Sequence, residues 1–331
     1  MDFMQILNAA LSSAFGPQAI VFALAAIGLN VHFGYTGLLN FGQAGFMAVG
    51  AYGLAVSMVT FELPFAVGIA IALMMPILLA IILGVPTLRL RADYLAISTI
   101  ATAEVLRLIF GAVETKDVFG GSNGLTGFAG TFQDLNPYGS GLDLGIMSFR
   151  RGDLWSMTVG WTLVALSCLL VWALMRSPWG RVLRSIREDE DAVRSLGKNV
   201  FFYKMQALVL GGLFGGIAGI FYALKQASVV PTDYSTNITF FAYTALLIGG
   251  AARVLGPVIG AMIFWFLMAG IGSFFSQATS GADPLLPSWF MTDIQASVVR
   301  LILVGLGLML LMIFRPQGIF GDRKELAIDA R

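Results

Sequence analysis

Residues Ser177–Val200 read SPWGRVLRSIREDEDAVRSLGKNV. Five basic residues (Arg181, Arg184, Arg187, Arg194, Lys198) and the acidic run Glu188–Asp191 are packed between two uncharged stretches, Leu154–Met175 and Met205–Leu224. Each stretch reaches the roughly 20 apolar residues that carry a helix across the hydrocarbon core of a bilayer. The charged segment between them must therefore lie in water, at a membrane face. Composition extends this reading to the whole chain of 331 residues. Hydrophobic residues make up 57% and charged residues 12%, against about 45–50% and 25% in soluble domains, and the mean hydropathy is +0.83. These values exclude a soluble globular protein. They specify an all-α polytopic membrane protein of about eight to ten transmembrane helices, with little length left for a soluble domain. A single cysteine, Cys168, excludes an intramolecular disulfide, and a single histidine, His32, excludes a histidine metal cluster. Both read as packing residues. The formal net charge of +1 says little, because the placement of charge carries the information in such a chain.

Uncharged runs between punctuating residues predict spans near 16–34, 40–60, 64–86, 94–113, 154–175, 205–225, 236–252, 255–276 and 295–314. Two of these, 40–60 and 236–252, are short or broken by glycine and could be re-entrant. Irregular backbone at membrane depth must be satisfied by protein or by a wet cavity. The opening MDFMQILNAALSS contains an acid and no Lys or Arg. It lacks the positive start of a secretory signal, and the first apolar segment is expected to be retained as a span.

Short loops rich in Lys and Arg stay cytoplasmic. That rule places the 176–204 loop inside, and alternation across nine spans then puts Arg89, Arg91, Arg253 and the tail residues Arg315, Arg323, Lys324 and Arg331 inside as well. The 114–153 loop, Glu62 and Asp283 fall outside. Arg150 and Arg151 are exceptions on the outer side. Turn formers crowd the outer loop, from GGSNGLTGFAG at Gly120 to Asn136, Pro137, Tyr138 and Gly139, which reads as an ordered external cap. The chain divides into a single transmembrane domain, 1–321, and a cytoplasmic tail, 322–331.

An internal echo links two broken segments. Phe33–Ala44 (FGYTGLLNFGQA) and Phe241–Ala252 (FAYTALLIGGAA) agree at Phe33/Phe241, Tyr35/Tyr243, Thr36/Thr244, Leu38/Leu246, Leu39/Leu247, Gly42/Gly250 and Ala44/Ala252. Corresponding glycine-interrupted segments point to internal symmetry and a midplane pathway, although a composition rich in Gly, Ala, Leu and Phe also produces chance matches. Gly211, Gly215 and Gly219 repeat every four residues and allow close helix approach. Glu104 and Arg107 lie one turn apart within a span. Charges at that depth either mark a functional site or form a structural pair. Asp93 reads as a helix N-cap. Asn40 and Gln43, with Tyr35 and Thr36 before them, could bind a polar solute or hold a helix break together. Tyr35, Thr36, Asn40, Gln43, Glu104 and Arg107 are the candidate pathway residues.

The charged segment itself can form short helices, with Asp189 as N-cap for 190–196 and Gly197 at the C′ position. Leu183, Ile186, Val193 and Leu196 give it an apolar stripe. A helix lying on the bilayer is an alternative, but the EDED run would be repelled by anionic lipid, which favours a protein partner. Gly197-Lys198 is followed by Asn199, with no glycine five residues before Gly197, so the chain has no phosphate-binding loop.

The strings GRVLRSIREDEDAVRSLGKNV, YTGLLNFGQAGFMAVGAYG, LRLRADYLAISTIATAEVLRLIF, LIGGAARVLGPVIGA and FRPQGIFG together resemble the permease subunits of ABC importers for branched-chain amino acids. The likeness covers about residues 20–321 and is closest to the partner whose loop carries an REDE-type motif. It implies a type II importer fold with broken helices in a bacterial inner membrane. It further implies a heterodimer with a second homologous permease, two cytoplasmic ATPase subunits that hold ATP and Mg, an extracytoplasmic solute-binding protein and surrounding membrane lipid. No cofactor and no nucleic acid is expected in this chain. Carried onto this sequence, contact with the ATPase falls on Gly180, Arg181, Arg187, Glu188, Asp189, Glu190, Asp191 and Gly197. The sequence departs from the family at Ala251-Ala252-Arg253, where relatives commonly have a glycine-rich turn with serine, which leaves the conformation of that turn open. Competing expectations are a urea or short-chain amide permease of the same family, an ATP-independent transporter or channel, and a membrane scaffold.

Overall fold

A computed structural model describes residues 3–89, 92–143, 148–280, 293–315 and 317–321. Among them, membrane-crossing segments alternate in direction. The first is a kinked helix made of α1 (Phe3–Phe15), α2 (Pro17–Leu29) and a π-helical turn, Asn30–Tyr35. It is followed by α3 (Gln43–Val59), α4 (Phe65–Thr87) and α5 (Ala92–Gly111). After the outer loop with short helices α6 (Lys116–Phe119) and α7 (Gly130–Asp134) comes α8 (Arg151–Arg176). The charged segment forms α9 (Pro178–Glu188) and α10 (Glu190–Ser195), and α11 (Val200–Gln226), α12 (Thr236–Gly249), α13 (Gly256–Ser280) and α14 (Asp293–Phe314) complete the chain. Among the described residues six of these segments are long and apolar enough to cross a membrane, and α3, α12 and the 298–307 part of α14 are shorter apolar helices. Arg91, Asp283 and the tail with Arg323, Lys324 and Arg331 lie outside the described residues.

The helix at the N-terminus begins before the expected start of the first span. Pro17 has no N–H to donate, and Gly16 adopts an extended conformation (φ −74°, ψ 174°), so the hydrogen-bond ladder breaks there and α1 meets α2 at a kink. Asp93 falls in the first turn of α5 rather than at its cap. The short segments behave as their sequence suggests. With 14 residues, α12 spans only about 21 Å at 1.5 Å per residue, well under the roughly 30 Å hydrocarbon core.

The core is the sandwich of α2, α3 and α11. These helices lack an apolar stripe because they are buried on nearly every side: residues Ala19 to Leu29 in α2 are all buried. A helix apolar all round needs such a position. Contact is close because glycine faces glycine or backbone. A Cβ at Gly50 would stand 2.6 Å from the Gly216 carbonyl oxygen, and one at Gly219 would fall on the Met47 carbonyl oxygen. By contrast, α4, α5 and α8 expose Ile82, Ile97, Leu108, Leu166 and Leu169, the pattern of helices turned toward lipid.

Short elements knit the outer face together. Strands β1 (Leu125–Thr126) and β4 (Ser228–Val229) pair antiparallel across more than a hundred residues of sequence, with Leu125 opposite Val229; β2 (Leu142–Asp143) pairs with β3 (Ser148–Phe149). The Trp155 indole donates to the Phe132 carbonyl (2.8 Å), and Lys225 pairs with Asp153. Between α11 and α12, burial pushes the Asp233 carboxyl up from its ordinary value. On the opposite face, the Arg89 guanidinium lies 5.5 Å from the Phe201 ring, and Arg253 and α9 sit beside the end of the π-helical turn. Arg89, Arg253 and the charged segment thus share one face, as the charge rule requires.

The two echo segments do not share a residue-level conformation. Leu38 and Leu39 lie in a loop, whereas Leu246 and Leu247 are helical. They do face each other: the Phe33 and Tyr243 rings meet edge-on at 5.9 Å. A direct check of the glycine contact is thermal unfolding of the purified protein. Gly219→Ala should lose about 1–3 kcal/mol through overpacking, while Gly152→Ala, whose Cβ would meet nothing within 4 Å, should leave stability unchanged.

Candidate functional site

The charged segment folds into a two-helix hairpin whose shape follows from its residues. Pro178 occupies the first turn of α9, where its missing N–H costs nothing. Gly180 is needed next, since a Cβ there would stand 2.5 Å from the Met175 Cα. Leu183, Ile186 and Val193 are buried under the hairpin at 0%, 4% and 5% exposure. Asp189 ends α9 and caps α10, its Oδ1 accepting from the N–H groups of Asp191 and Ala192 at 3.0 Å each. Gly197 closes α10 with φ +75°, a left-handed conformation natural to glycine. Glu190 pairs with Arg194 (2.8 Å) and with Lys204 of α11, Asp191 pairs with Arg194 (2.7 Å), and the Trp179 indole donates to Gln206 Oε1 (2.7 Å). Exposed ion pairs contribute about 0–1 kcal/mol each, so the apolar stripe and the cap set the shape. Leu196 departs from the expected stripe: at 79% exposure it points away from the protein, because α10 ends at Ser195 before the periodicity can turn it inward. Arg181, Glu188, Asp189 and Asp191 share this outward exposure.

Arg187 turns the other way. Its guanidinium donates to the Gly34 carbonyl in the π-helical turn, and its Cγ would stand 3.1 Å from a Cβ at Gly37. Beside it, Arg184 donates to the Met175 carbonyl (3.1 Å) with its guanidinium 5.9 Å from the Tyr35 ring. One arginine therefore joins the hairpin directly to the first broken helix.

That break, residues 37–42, is closed by side chains from four helices. The Thr36 hydroxyl donates to the Val31 carbonyl (2.9 Å). Asn40 is the hub: its Nδ2 reaches His32 Nδ1 (3.0 Å) and Gln43 Oε1 (3.2 Å), and its Oδ1 accepts from Gly42 N–H (2.9 Å). His32 Nε2 lies 3.1 Å from the Leu208 carbonyl, which can only accept. Nε2 therefore carries the proton and Nδ1 accepts from Asn40, a single neutral tautomer. Gln43 Nε2 donates to the Ala25 and Gly211 carbonyls (3.2 and 3.3 Å). Thr99 of α5 accepts from Phe41 N–H (3.0 Å), Thr239 of α12 accepts from Ala44 N–H (2.9 Å), and the Tyr243 hydroxyl donates to the Asn40 carbonyl (2.8 Å). Tyr35, Thr36, Asn40 and Gln43 are all buried at 2% exposure or less. In this conformation they hold the break together.

Glu104 and Arg107 lie elsewhere, nearer the outer end of α5. Glu104 pairs with Arg107 (2.7 Å) and accepts from both the hydroxyl and the N–H of Thr236, the first residue of α12. A carboxylate is stabilised by the unpaired N–H groups and positive dipole of a helix start. The pair is thus a cap supplied from a neighbouring helix. The turn Ala251-Ala252-Arg253 is held in the same manner. Ala252 adopts a left-handed φ of +58°, and its N–H donates to Asn30 Oδ1 (2.8 Å), while Asn30 Nδ2 donates to the Arg253 carbonyl (2.8 Å).

Residues 14–314 match the family model described as branched-chain amino acid transport system / permease component. The chain belongs to this family. Relatives include the high-affinity branched-chain amino acid transport system permease protein LivM of Escherichia coli, 28% identical over 91% of this chain and 68% of the relative. The Salmonella typhimurium protein of the same name is 30% identical over the same shares. A probable LivM of Methanocaldococcus jannaschii is 24% identical over 92% of this chain and 91% of its own length. As a permease of this family the chain is a membrane-embedded transport subunit, and the all-helical architecture above is the form that this role takes here.

Several residues of the permease's polar joint escape a reading of hydropathy. Asn30, His32, Thr99 and Thr239 are single polar groups inside apolar runs, each buried at 1% or less. The detectable signal was their coincidence in depth with the glycine-marked break. His32, read as a packing residue, does pack, but through its two ring nitrogens. Asn30→Leu keeps the side-chain volume and strands the Ala252 N–H and Arg253 carbonyl. At about 1–3 kcal/mol for each buried unsatisfied group, the variant should unfold at clearly lower temperature in a thermal scan, whereas Asn136→Ala on the exposed outer loop should not.

Proposed function

We propose that this permease forms half of a translocation pathway for branched-chain amino acids across a bacterial inner membrane, driven by ATP hydrolysis in partner subunits. The partners are a second homologous permease, two cytoplasmic ATPases and an extracytoplasmic solute-binding protein. The observation that carries the reading is the bond from Arg187 to the Gly34 carbonyl. It gives a hairpin with an outward charged edge a direct grip on a broken helix.

In this reading Arg181, Glu188, Asp191 and Gly197 meet the ATPase surface, with Asp189 and Glu190 keeping the hairpin stiff and Gly180 letting it fold back on α8. Closure of the ATPases on ATP moves the hairpin as one body. Arg187 passes that movement to the turn at Gly34 and Gly37, and the break at 37–42 shifts between two packings. Tyr35, Thr36, Asn40 and Gln43 act as the hinge of this gate. Glu104 and Arg107 fix the outer start of α12, so that α12 moves as a unit with α5. The outer loop receives solute from the binding protein. Branched-chain side chains suit the reading, since the relatives that cover most of this chain carry that solute in their names.

The test uses the whole complex in proteoliposomes. Arg187→Ala should leave assembly and ATP hydrolysis in place and cut leucine uptake per ATP by about tenfold or more, within the range of measured coupling energies. Unchanged uptake per ATP would sink the coupling role. Reversing the charges of Glu188 to Asp191 should abolish co-purification with the ATPases. Isoleucine and valine, but neither urea nor short-chain amides, should compete with radiolabelled leucine; the opposite pattern would move the chain to the amide-transporting branch.

A further inference from the structure

Beside the inner end of α8 lies an open groove of about 790 Å³ that the transport reading does not use. Ala165, Cys168, Leu169 and Trp172 form one wall at helical spacing, and Val254 to Ile259 with Phe320 form the other. The wall along α8 runs about 10 Å at 1.5 Å per residue. Leu169, Trp172, Leu255 and Phe320 are 60%, 43%, 59% and 48% exposed. The groove is therefore open and apolar, at the depth of the inner half of the bilayer.

Its inner rim is cationic. Arg253 lines the groove directly. One turn beyond Trp172, the Arg176 guanidinium stacks 4.1 Å from the ring of that wall residue, which keeps its charge beside the groove. The groove thus joins an apolar slot for an acyl chain to a pair of guanidinium groups at headgroup level. We propose that it binds a phospholipid of the inner leaflet with an anionic headgroup. The acyl chain fills the slot between Leu169 and Leu255, and the headgroup phosphate lies against Arg176 and Arg253. Aromatic and arginine side chains at this level are the usual interfacial anchors, and anionic headgroups are drawn to basic pockets between helices on the cytoplasmic side.

The site is not a passive contact, because its second wall is the turn that grips the hinge. Arg253 and Ala252 are bonded through their backbone to Asn30, and the Val254 carbonyl lies 3.9 Å from Cys168 Sγ. A lipid wedged against Val254 and Leu255 favours the docked position of that turn. It therefore favours the conformation in which Asn30 holds the π-helical turn. Anionic lipid becomes a regulator of the gate as well as a solvent for it.

The experiment reconstitutes the whole complex in nanodiscs with a trace of phosphatidylglycerol carrying a photoreactive group in its acyl chain, and maps cross-links by peptide mass spectrometry. Cross-links should concentrate on 165–172 and 253–259, and unlabelled phosphatidylglycerol should compete them away far better than phosphatidylcholine. Arg176→Gln and Arg253→Gln should each weaken that competition by about fivefold, the worth of one basic residue near a charged membrane surface. Leu255→Trp, which fills the slot without touching the rim, should remove the cross-links. It should also flatten the rise of leucine-stimulated ATP hydrolysis with phosphatidylglycerol content. Equal competition by the zwitterionic lipid would reduce the groove to ordinary lipid contact and overturn the proposal. So would cross-links to a protein subunit at these peptides, or a lipid response that survives Leu255→Trp.

Discussion

Everything at the inner end of this permease depends on satisfying one carbonyl, that of Gly34. An α-helix would give it the N–H of Leu38, but that N–H bonds the His32 carbonyl instead (2.8 Å) as the chain winds through its π-helical turn. An orphaned carbonyl at this depth has no water to turn to, and its desolvation costs several kcal/mol in a membrane. Arg187 supplies the missing donor from outside the helix. Gly34 itself is required because a Cβ would strike Asn30 Oδ1 and the Ala252 N–H. The same residue thus leaves room for the clamp on the far turn and exposes the carbonyl that the hairpin grips.

The rest of the break follows the same accounting. Between Gly37 and Gly42 the helical ladder is lost, and the groups it frees are answered by Asn40 within the break and by Thr99, Thr239 and Tyr243 from two other helices. Such a network is tightly matched, for the Asn40 and Gln43 amides each meet two partners and His32 is confined to one tautomer by its two neighbours. Partial rearrangement would strand polar groups in an apolar interior.

The architecture was legible in the sequence because membrane burial writes itself into composition. Runs of uncharged residues gave the spans, basic residues gave the sidedness, and the charged segment announced the hairpin with its own cap and stop residues, Asp189 and Gly197. What stayed hidden were choices between partners. Nothing near Glu104 in sequence says that its carboxylate meets Thr236, 132 residues away, so a cap on a neighbouring helix read as a possible pathway charge. Leu196 fitted the period of the apolar stripe, but the helix stopped one residue short of it. Asn40 and Gln43 lie at the break, as their spacing suggested, and their bonds to Ala25, Gly211 and His32 are long-range contacts that no local pattern announces. The echo between 33–44 and 241–252 reflects two breaks that meet face to face, not two copies of one conformation.

That meeting fastens a hairpin at one membrane face to the interior. Arg187 holds the turn from the hairpin, while Asn30, four residues before Gly34, holds the 251–253 turn from within. The two breaks are therefore fastened to the same short π-helical stretch, one by a charged side chain and one by an amide. A displacement of α9 cannot move the first break alone, since Gly34 and Asn30 lie on adjacent turns and have no slack between them. No extended chain of residues joins them: among the described residues, the π-helical stretch Asn30–Tyr35 is the one that both the hairpin and the second break are bonded to.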